Sequence, residues 1–195
     1  MADPSPASDA KAALRRRLRR ARRDFVDALP ERRETEARLA DRLRAHLADV
    51  RCLASYRAVG AEIDPLPMTS ALARETRLAL PRVTAESGSL LFHAWSLRDA
   101  LVPGAFGIEE PRPDAPRVQP DVVLLPLIGF DRQGGRLGQG GGYYDRTLAA
   151  MPDAQRVGLA WSVQEVDAVP RKPWDIPLDA VLTEREWIVM PERTR

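Results

Sequence analysis

The chain has 195 residues, 44% of them hydrophobic and 30% charged, and a net charge of +2. That is one globular domain with a sizeable core, and it excludes a polycation built to seek nucleic acid. One cysteine, Cys52, excludes an internal disulfide, the distant His46 and His93 give no His/Cys zinc spacing, and no apolar stretch reaches the roughly 20 residues that span a bilayer.

Residues 1–10, MADPSPASDA, read as a polar tail, and 11–195 as a single domain. From Lys11 onward, Leu14, Leu18, Ala21, Phe25 and Leu29 recur at helical spacing. Pro30 opens a second expected helix carrying Leu39, Leu43 and Leu47. Arg51 to Tyr56 reads as a strand with Cys52 as a small core residue, and Glu62-Ile63-Asp64-Pro65 as a turn into a helix ending near Glu75. Strands follow around Arg77 to Val83 and Leu90 to Trp95, with Ser87-Gly88 as the turn between them.

Residues 97 to 120 hold five prolines and two glycines, an irregular connection long enough to cover a substrate. Val122 to Ile128 is an apolar strand that feeds a glycine-rich segment and a short helix through Met151. Arg156 to Ser162 and Ala180 to Thr183 read as the last core strands. His46 reads as a helix-surface residue, and the four tryptophans as packing. Strands alternating with helices predict a three-layer α/β/α domain with a mostly parallel central sheet.

Six of the twelve glycines fall between Gly134 and Gly142. A strand, a backbone-exposing loop and a helix start can hold a phosphate on main-chain N–H groups. Arg136 adds a charge inside the loop. Neither common nucleotide fingerprint fits. Tyr143 and Tyr144 stand where a P-loop needs Lys and Ser or Thr, and Tyr143 stands where a dinucleotide loop needs its third glycine.

The first helix holds eight basic residues and no acidic one between Lys11 and Arg23. At about 100° per residue, Lys11, Arg15 and Arg22 lie beside the apolar stripe, while Arg16, Arg20 and Arg23 point away. Lys11 and Arg15 are therefore expected at the edge of the packed body, and the others as solubilising charge. Lysine occurs only at positions 11 and 172, so a lysine kept at 11 suggests a compact ammonium contact with phosphate.

The run FDRQGGRLGQGGGYYD resembles the C-terminal signature of the 5-formyltetrahydrofolate cyclo-ligases. Lys11-Ala-Ala-Leu-Arg15, Glu62 in AEIDP, Leu80-Pro81-Arg82, Gly107-Ile108-Glu109-Glu110-Pro111 and the segment Trp174 to Val181 are similar to further landmarks of that family, in order along the chain. The resemblance implies ATP-dependent cyclisation of 5-formyltetrahydrofolate to 5,10-methenyltetrahydrofolate, with Mg²⁺; a cytoplasmic protein is expected from the polar residues 1–10, unlike a signal peptide, and the lack of a membrane-length apolar stretch.

It also implies roles. Lys11, Arg15 and the loop Gly134, Gly135, Arg136, Leu137, Gly138, Gln139, Gly140, Gly141, Gly142, Tyr143 and Tyr144 would bind ATP. Arg136 and Glu62 would be catalytic, and Tyr56, Arg57, Glu62, Phe106 and Tyr143 would bind the folate, which can be polyglutamylated. Asp145 and Asp179 would ligate Mg²⁺. Some members carry basic residues where this chain has Gln139 and Gly141, and some a His where it has Trp174. No nucleic-acid or membrane partner is implied, and the protein is expected as a monomer or small homo-oligomer. Two other readings stand beside this one: a phosphosugar isomerase or acyl-transfer relative on a similar sheet, and a nucleic-acid-binding protein using the arginine-rich helix.

Overall fold

The computed structural model describes residues 6–47, 49–84 and 88–191. Apolar alternation decides which side chain goes to which face of the sheet. In β6 (Val122–Pro126), Val122 and Leu124 join one core cluster and Val123 and Leu125 the other. In β1 (Cys52–Ala54), Leu53 goes to the first cluster and Cys52 and Ala54 to the second. This is the period of two expected of a strand buried on both faces.

These two strands sit side by side in a seven-stranded sheet. The others are β2 (Arg77–Val83), β3 (Leu90–Ala94), β9 (Gln155–Leu159), β10 (Ala180–Leu182) and β11 (Trp187–Val189). Their order is β11-β10-β9-β6-β1-β2-β3. The pairings from β10 through β9, β6 and β1 to β2 are parallel, and the edge strands β11 and β3 are antiparallel to their neighbours.

Helices cover both faces. Val26 of α1 (Pro6–Asp27), Leu39 and Leu43 of α2 (Arg32–His46), and Met68 and Leu72 of α3 (Leu66–Leu72) pack on the first. Leu148 of α4 (Tyr143–Ala149) packs on the second, beside Leu127, Phe130 and Leu178. The chain thus adopts a single α/β/α domain with a mostly parallel sheet. No helix among the described residues is long and apolar enough to cross a membrane.

The structure departs from expectation where elements are short. Helix α1 begins at Pro6, so residues 6–10 belong to it rather than to a tail, and residues 1–5 lie outside the described ones. Ser87 of the expected turn also lies outside them. The irregular stretch contains a small ladder, β4 (Val102–Pro103) with β5 (Glu109–Glu110). The glycine segment contains another, β7 (Gly129–Phe130) with β8 (Arg136–Leu137). Two-residue strands carry no readable periodicity.

Candidate active site

Strand β1 leads on to β2 on one side of it, whereas β6 leads on to β9 on the other. The β1/β6 boundary is therefore a topological switch point, where α/β sheets open a crevice at the carboxyl ends of the strands. A cavity of about 1030 Å³ lies there, lined by Tyr56 beyond β1, Pro126 at the end of β6, and Pro81 and Val83 of β2. The glycine loop, the amino end of α1 and the β4–β5 ladder close its sides.

The glycine segment divides into two turns with different tasks. The first is built on Asp131, whose buried carboxylate accepts N–H groups from Gln133 (2.9 Å), Gly135 (2.8 Å) and Val169 (2.8 Å) and pairs with Arg171 at 2.8 Å. Burial works against the ionised form, yet those donors hold the Asp131 carboxyl below the ordinary range. A Cβ on Gly135 would meet Asp131 Oδ2 at 2.3 Å, so only glycine fits. Gly134 and Gly135 therefore shape the hairpin; they do not line the cavity, contrary to the expectation that they bind ATP. The second turn, Gly138 to Gly142, does line it, with Gly140 at φ 110° in a region that side chains rarely adopt.

Charges from four segments meet at this second turn. Arg15 Nε donates to the Gly138 carbonyl at 2.9 Å, and Arg19 Nη2 donates to Gln139 Oε1 at 2.6 Å. Arg136 Nη2 donates to Asp145 Oδ1 at 2.9 Å, with its guanidinium 5.6 Å from the Tyr144 ring. Lys11 is buried, and its ammonium is 2.6 Å from Asp175 Oδ2. Asp145 also accepts the Ile176 N–H at 3.2 Å, which sets the two carboxylates, Asp145 and Asp175, against one stretch of chain.

Asp179 stands elsewhere. It precedes β10, and its carboxylate accepts the Arg156 N–H at 2.8 Å at the amino end of β9. Asp121 does the same before β6, accepting N–H groups of Arg51 and Cys52 at 2.9 Å. Both aspartates tie adjacent parallel strands at the edge of the sheet opposite the cavity. The pairing of Asp179 with Asp145 on one side of the cleft is therefore corrected: the aspartate that lines the cavity beside Asp145 is Asp175. Two carboxylates suit a hard ion that keeps waters and phosphates as its other ligands. Among the described residues, no cluster of three or more His, Cys, Asp or Glu could hold a metal without such help.

The far wall is less charged. Glu62 is buried; its Oε2 accepts the Val59 N–H at 3.1 Å, and its Oε1 accepts Gln139 Nε2 at 3.2 Å and faces Arg22 Nη1 at 3.6 Å. Burial pushes the Glu62 carboxyl above the ordinary glutamate range, and the Val59 N–H, Arg22 and Gln139 pull it part of the way back. Tyr56 donates to the Ile63 carbonyl at 2.8 Å, and burial keeps the Tyr56 and Tyr144 hydroxyls protonated. Arg57 pairs with Glu109 at 3.2 Å. Phe106 is 73% exposed, sits at φ 59° and meets the Tyr143 ring edge-on at 5.6 Å.

Apart from Gly134, Gly135 and Asp179, every expected site residue lines this one cavity. Sequence reasoning missed several of their supports. Arg22 was grouped with solvated charge although its position beside the apolar stripe marked it; it is buried and also donates to the Leu127 carbonyl at 3.3 Å. Glu110 is buried too, accepting N–H groups from Val83 (3.2 Å) and Ala105 (3.3 Å) and so fixing the turn before Phe106. Trp174, read as packing, is 64% exposed on the cavity wall with Lys172 Nζ 5.1 Å from its ring. The other three tryptophans do pack: Trp95 and Trp161 are buried, and Trp187 stacks on His46 at 4.6 Å.

The chain is similar to named proteins along most of its length. A family model, the 5-formyltetrahydrofolate cyclo-ligase family, matches residues 7–184. The 5-formyltetrahydrofolate cyclo-ligase of Mycolicibacterium smegmatis is 33% identical over 198 residues, 95% of this chain and 98% of that one. The enzyme of the same name from Escherichia coli is 42% identical over 130 residues, 63% of this chain and 71% of that one. Among solved structures, Aquifex aeolicus 5,10-methenyltetrahydrofolate synthetase superposes with a TM-score of 0.78 at 30% identity, covering 95% of each chain. With the glycine loop, the paired cleft carboxylates and the Glu62 wall in one cavity, this chain belongs to the 5-formyltetrahydrofolate cyclo-ligase family.

Proposed function

We propose that the cleft binds MgATP against the Gly138–Gly142 turn and 5-formyltetrahydrofolate against the Glu62 wall, so that the γ-phosphoryl group faces the formyl oxygen. The activity follows from the family: cyclisation of 5-formyltetrahydrofolate to 5,10-methenyltetrahydrofolate with conversion of ATP to ADP and phosphate. What carries the assignment of sides is the division of charge within one cavity. Lys11, Arg15 and Arg136 line the cavity beside the glycine turn, and Glu62, Tyr56 and Phe106 line the same cavity, with Glu62 joined to the turn through Gln139 Nε2 at 3.2 Å and Phe106 against Tyr143.

The chemistry explains why the site has no need of a nucleophilic side chain. A formamide carbonyl is a poor electrophile, and its oxygen a poor leaving group. The formyl oxygen attacks the γ-phosphorus and ADP departs. The neighbouring folate amine then attacks the activated carbon and gives up its proton, and the C–O bond breaks to release phosphate. Arg136 and Lys11 offset charge on the transferred group, and the glycine N–H groups add fixed dipoles. The second step is intramolecular, so holding the folate in one pose supplies most of what it needs.

Glu62 accepts hydrogen bonds from the pterin end, and Phe106 stacks on its face. Arg57 and Tyr143 complete that wall. Asp145 and Asp175 fit a Mg²⁺ site, being carboxylates from different segments on one side of the cleft. When bound, the ion would supply charge neutralisation between phosphate oxygens.

The test is to mix the protein with 5-formyltetrahydrofolate, with and without MgATP, and follow the absorbance of the methenyl product. Absorbance that grows only with MgATP supports the reading, and none under either condition removes it.

A further inference from the structure

The residue that joins the two halves of the cleft is Gln139. Its side-chain amide faces both ways: Oε1 accepts Arg19 Nη2 at 2.6 Å, and Nε2 donates to Glu62 Oε1 at 3.2 Å. Glu62 already holds the Val59 N–H on Oε2, and Arg22 faces Oε1 at 3.6 Å. The Gln139 amide therefore occupies the oxygen that a pterin donor would use. One residue back, the Gly138 carbonyl is held by Arg15 Nε at 2.9 Å. Two arginines, one helical turn apart on α1, thus pin the loop in the position that keeps Gln139 on Glu62.

We propose that Gln139 is a positioning residue that couples nucleotide binding to folate capture, by covering Glu62 until a triphosphate draws Arg15 off the loop. A polyphosphate is a stronger partner for Arg15 than the neutral Gly138 carbonyl, because it adds an opposite charge and can take the guanidinium fork in two parallel bonds. Once Arg15, which lines the cavity, turns to phosphate, the Gly138 anchor next to Gln139 is released. The Gln139 amide leaves Glu62, and its oxygen becomes available to the folate. Nucleotide binding thereby tightens folate binding, and by linkage the folate tightens nucleotide binding by the same factor. The consequence is order: the formyl group is presented when the phosphoryl donor is already in place.

This inference rests on the reading of Glu62 as the folate-binding carboxylate, and the experiment separates the two. The dissociation constant of 5-formyltetrahydrofolate is measured with and without a non-hydrolysable ATP analogue and Mg²⁺, for the wild type and for Gln139→Met, Gln139→Glu and Glu62→Gln. Met matches Gln in length but cannot donate to Glu62. The wild type is expected to bind folate at least about fivefold more tightly with the analogue present, the low end of ordinary coupling. Gln139→Met is expected to bind folate more tightly than the wild type in the absence of nucleotide, with the coupling factor falling toward one. Gln139→Glu keeps the acceptor for Arg19 but sets a second carboxylate against Glu62, and is expected to weaken folate binding in both states.

A residue that only supported the fold would lose affinity on substitution rather than gain it. Coupling that survives in Gln139→Met, or a wild type without coupling, overturns the latch while leaving Glu62 in its role if Glu62→Gln still weakens folate. Folate binding unchanged in Glu62→Gln overturns the underlying assignment and the latch with it.

Discussion

Arg136 and Asp145 face each other across the glycine turn, with Nη2 2.9 Å from Oδ1, although nine residues separate them in the chain. The guanidinium is nearly buried, at 5% side-chain exposure. It is held from below by the aspartate and flanked by the Tyr144 ring. A charge fixed this way needs no reorganisation when the phosphoryl group moves.

Replacing Arg136 by Ala is expected to lower turnover by about 10²- to 10³-fold, the cost of losing one preorganised donor. Arg136→Lys should recover only part of this, since an ammonium cannot hold Asp145 and phosphate with one planar fork. Steady-state kinetics with circular dichroism on the same samples decides it; an unchanged kcat in Arg136→Ala removes the charge from the mechanism.

The two aspartates near the carboxyl end separate cleanly. Asp175→Asn is expected to raise the Mg²⁺ concentration needed for half-maximal rate by about tenfold, equivalent to about 1.4 kcal/mol. Asp179→Ala should leave that requirement alone and instead lower stability by about 1–3 kcal/mol, by removing the part-buried acceptor of the Arg156 N–H at the strand entry. Magnesium titration and thermal melts of both variants check the assignment, and the opposite pattern would return the metal to Asp179.

In its proposed role Glu62 accepts from the pterin as the carboxylate, and burial raises its pKa. The kcat/KM for folate should therefore fall on the acid side through a value above the ordinary glutamate value of about 4.3. Arg22 favours the ionised form, so Arg22→Met is expected to shift that limb to higher pH. A limb that stays in place would show that Arg22 does not act through Glu62. In stability terms, a carboxyl whose pKa rises on folding favours the folded state at low pH. That contribution is lost as pH rises through the folded value, so ionised Glu62 costs stability at neutral pH.

Phe106 combines exposure with a positive φ, two costs that packing does not explain. Phe106→Gly should relieve about 1–2 kcal/mol of backbone strain and raise the melting temperature. Loss of the ring contact, about 0.5–1.5 kcal/mol, should raise the folate KM up to about tenfold. A variant that is more stable and equally good with folate would make the ring a bystander.

Much of this site was readable before any coordinates, and the reasons are particular. The long strands and helices carry periodicity, so β2 falls on Arg77–Val83 as expected. Lys11 and Arg15 were placed beside the apolar stripe by helical geometry alone, and both reach the cavity. In WDIPLDAV both Asp175 and Asp179 precede the same strand, and only the fold shows which end of the sheet each occupies. Asp131 caps its own turn through the Gln133 and Gly135 N–H groups, a local pattern, but its bond to Val169 and that of Glu110 to Val83 join distant positions that nothing local marks. Gln139 is expected in the ATP loop and as a departure from a basic residue, but its contact with Glu62 joins positions far apart in the chain.

The central claim is that ATP activates the formyl oxygen. The most direct measurement uses 5-formyltetrahydrofolate labelled with oxygen-18 in the formyl group, with mass analysis of the released phosphate after a single turnover. The mechanism predicts one labelled oxygen in each phosphate, formed in step with one ADP and one methenyl product. Phosphate without the label, with the methenyl product still forming, would contradict it.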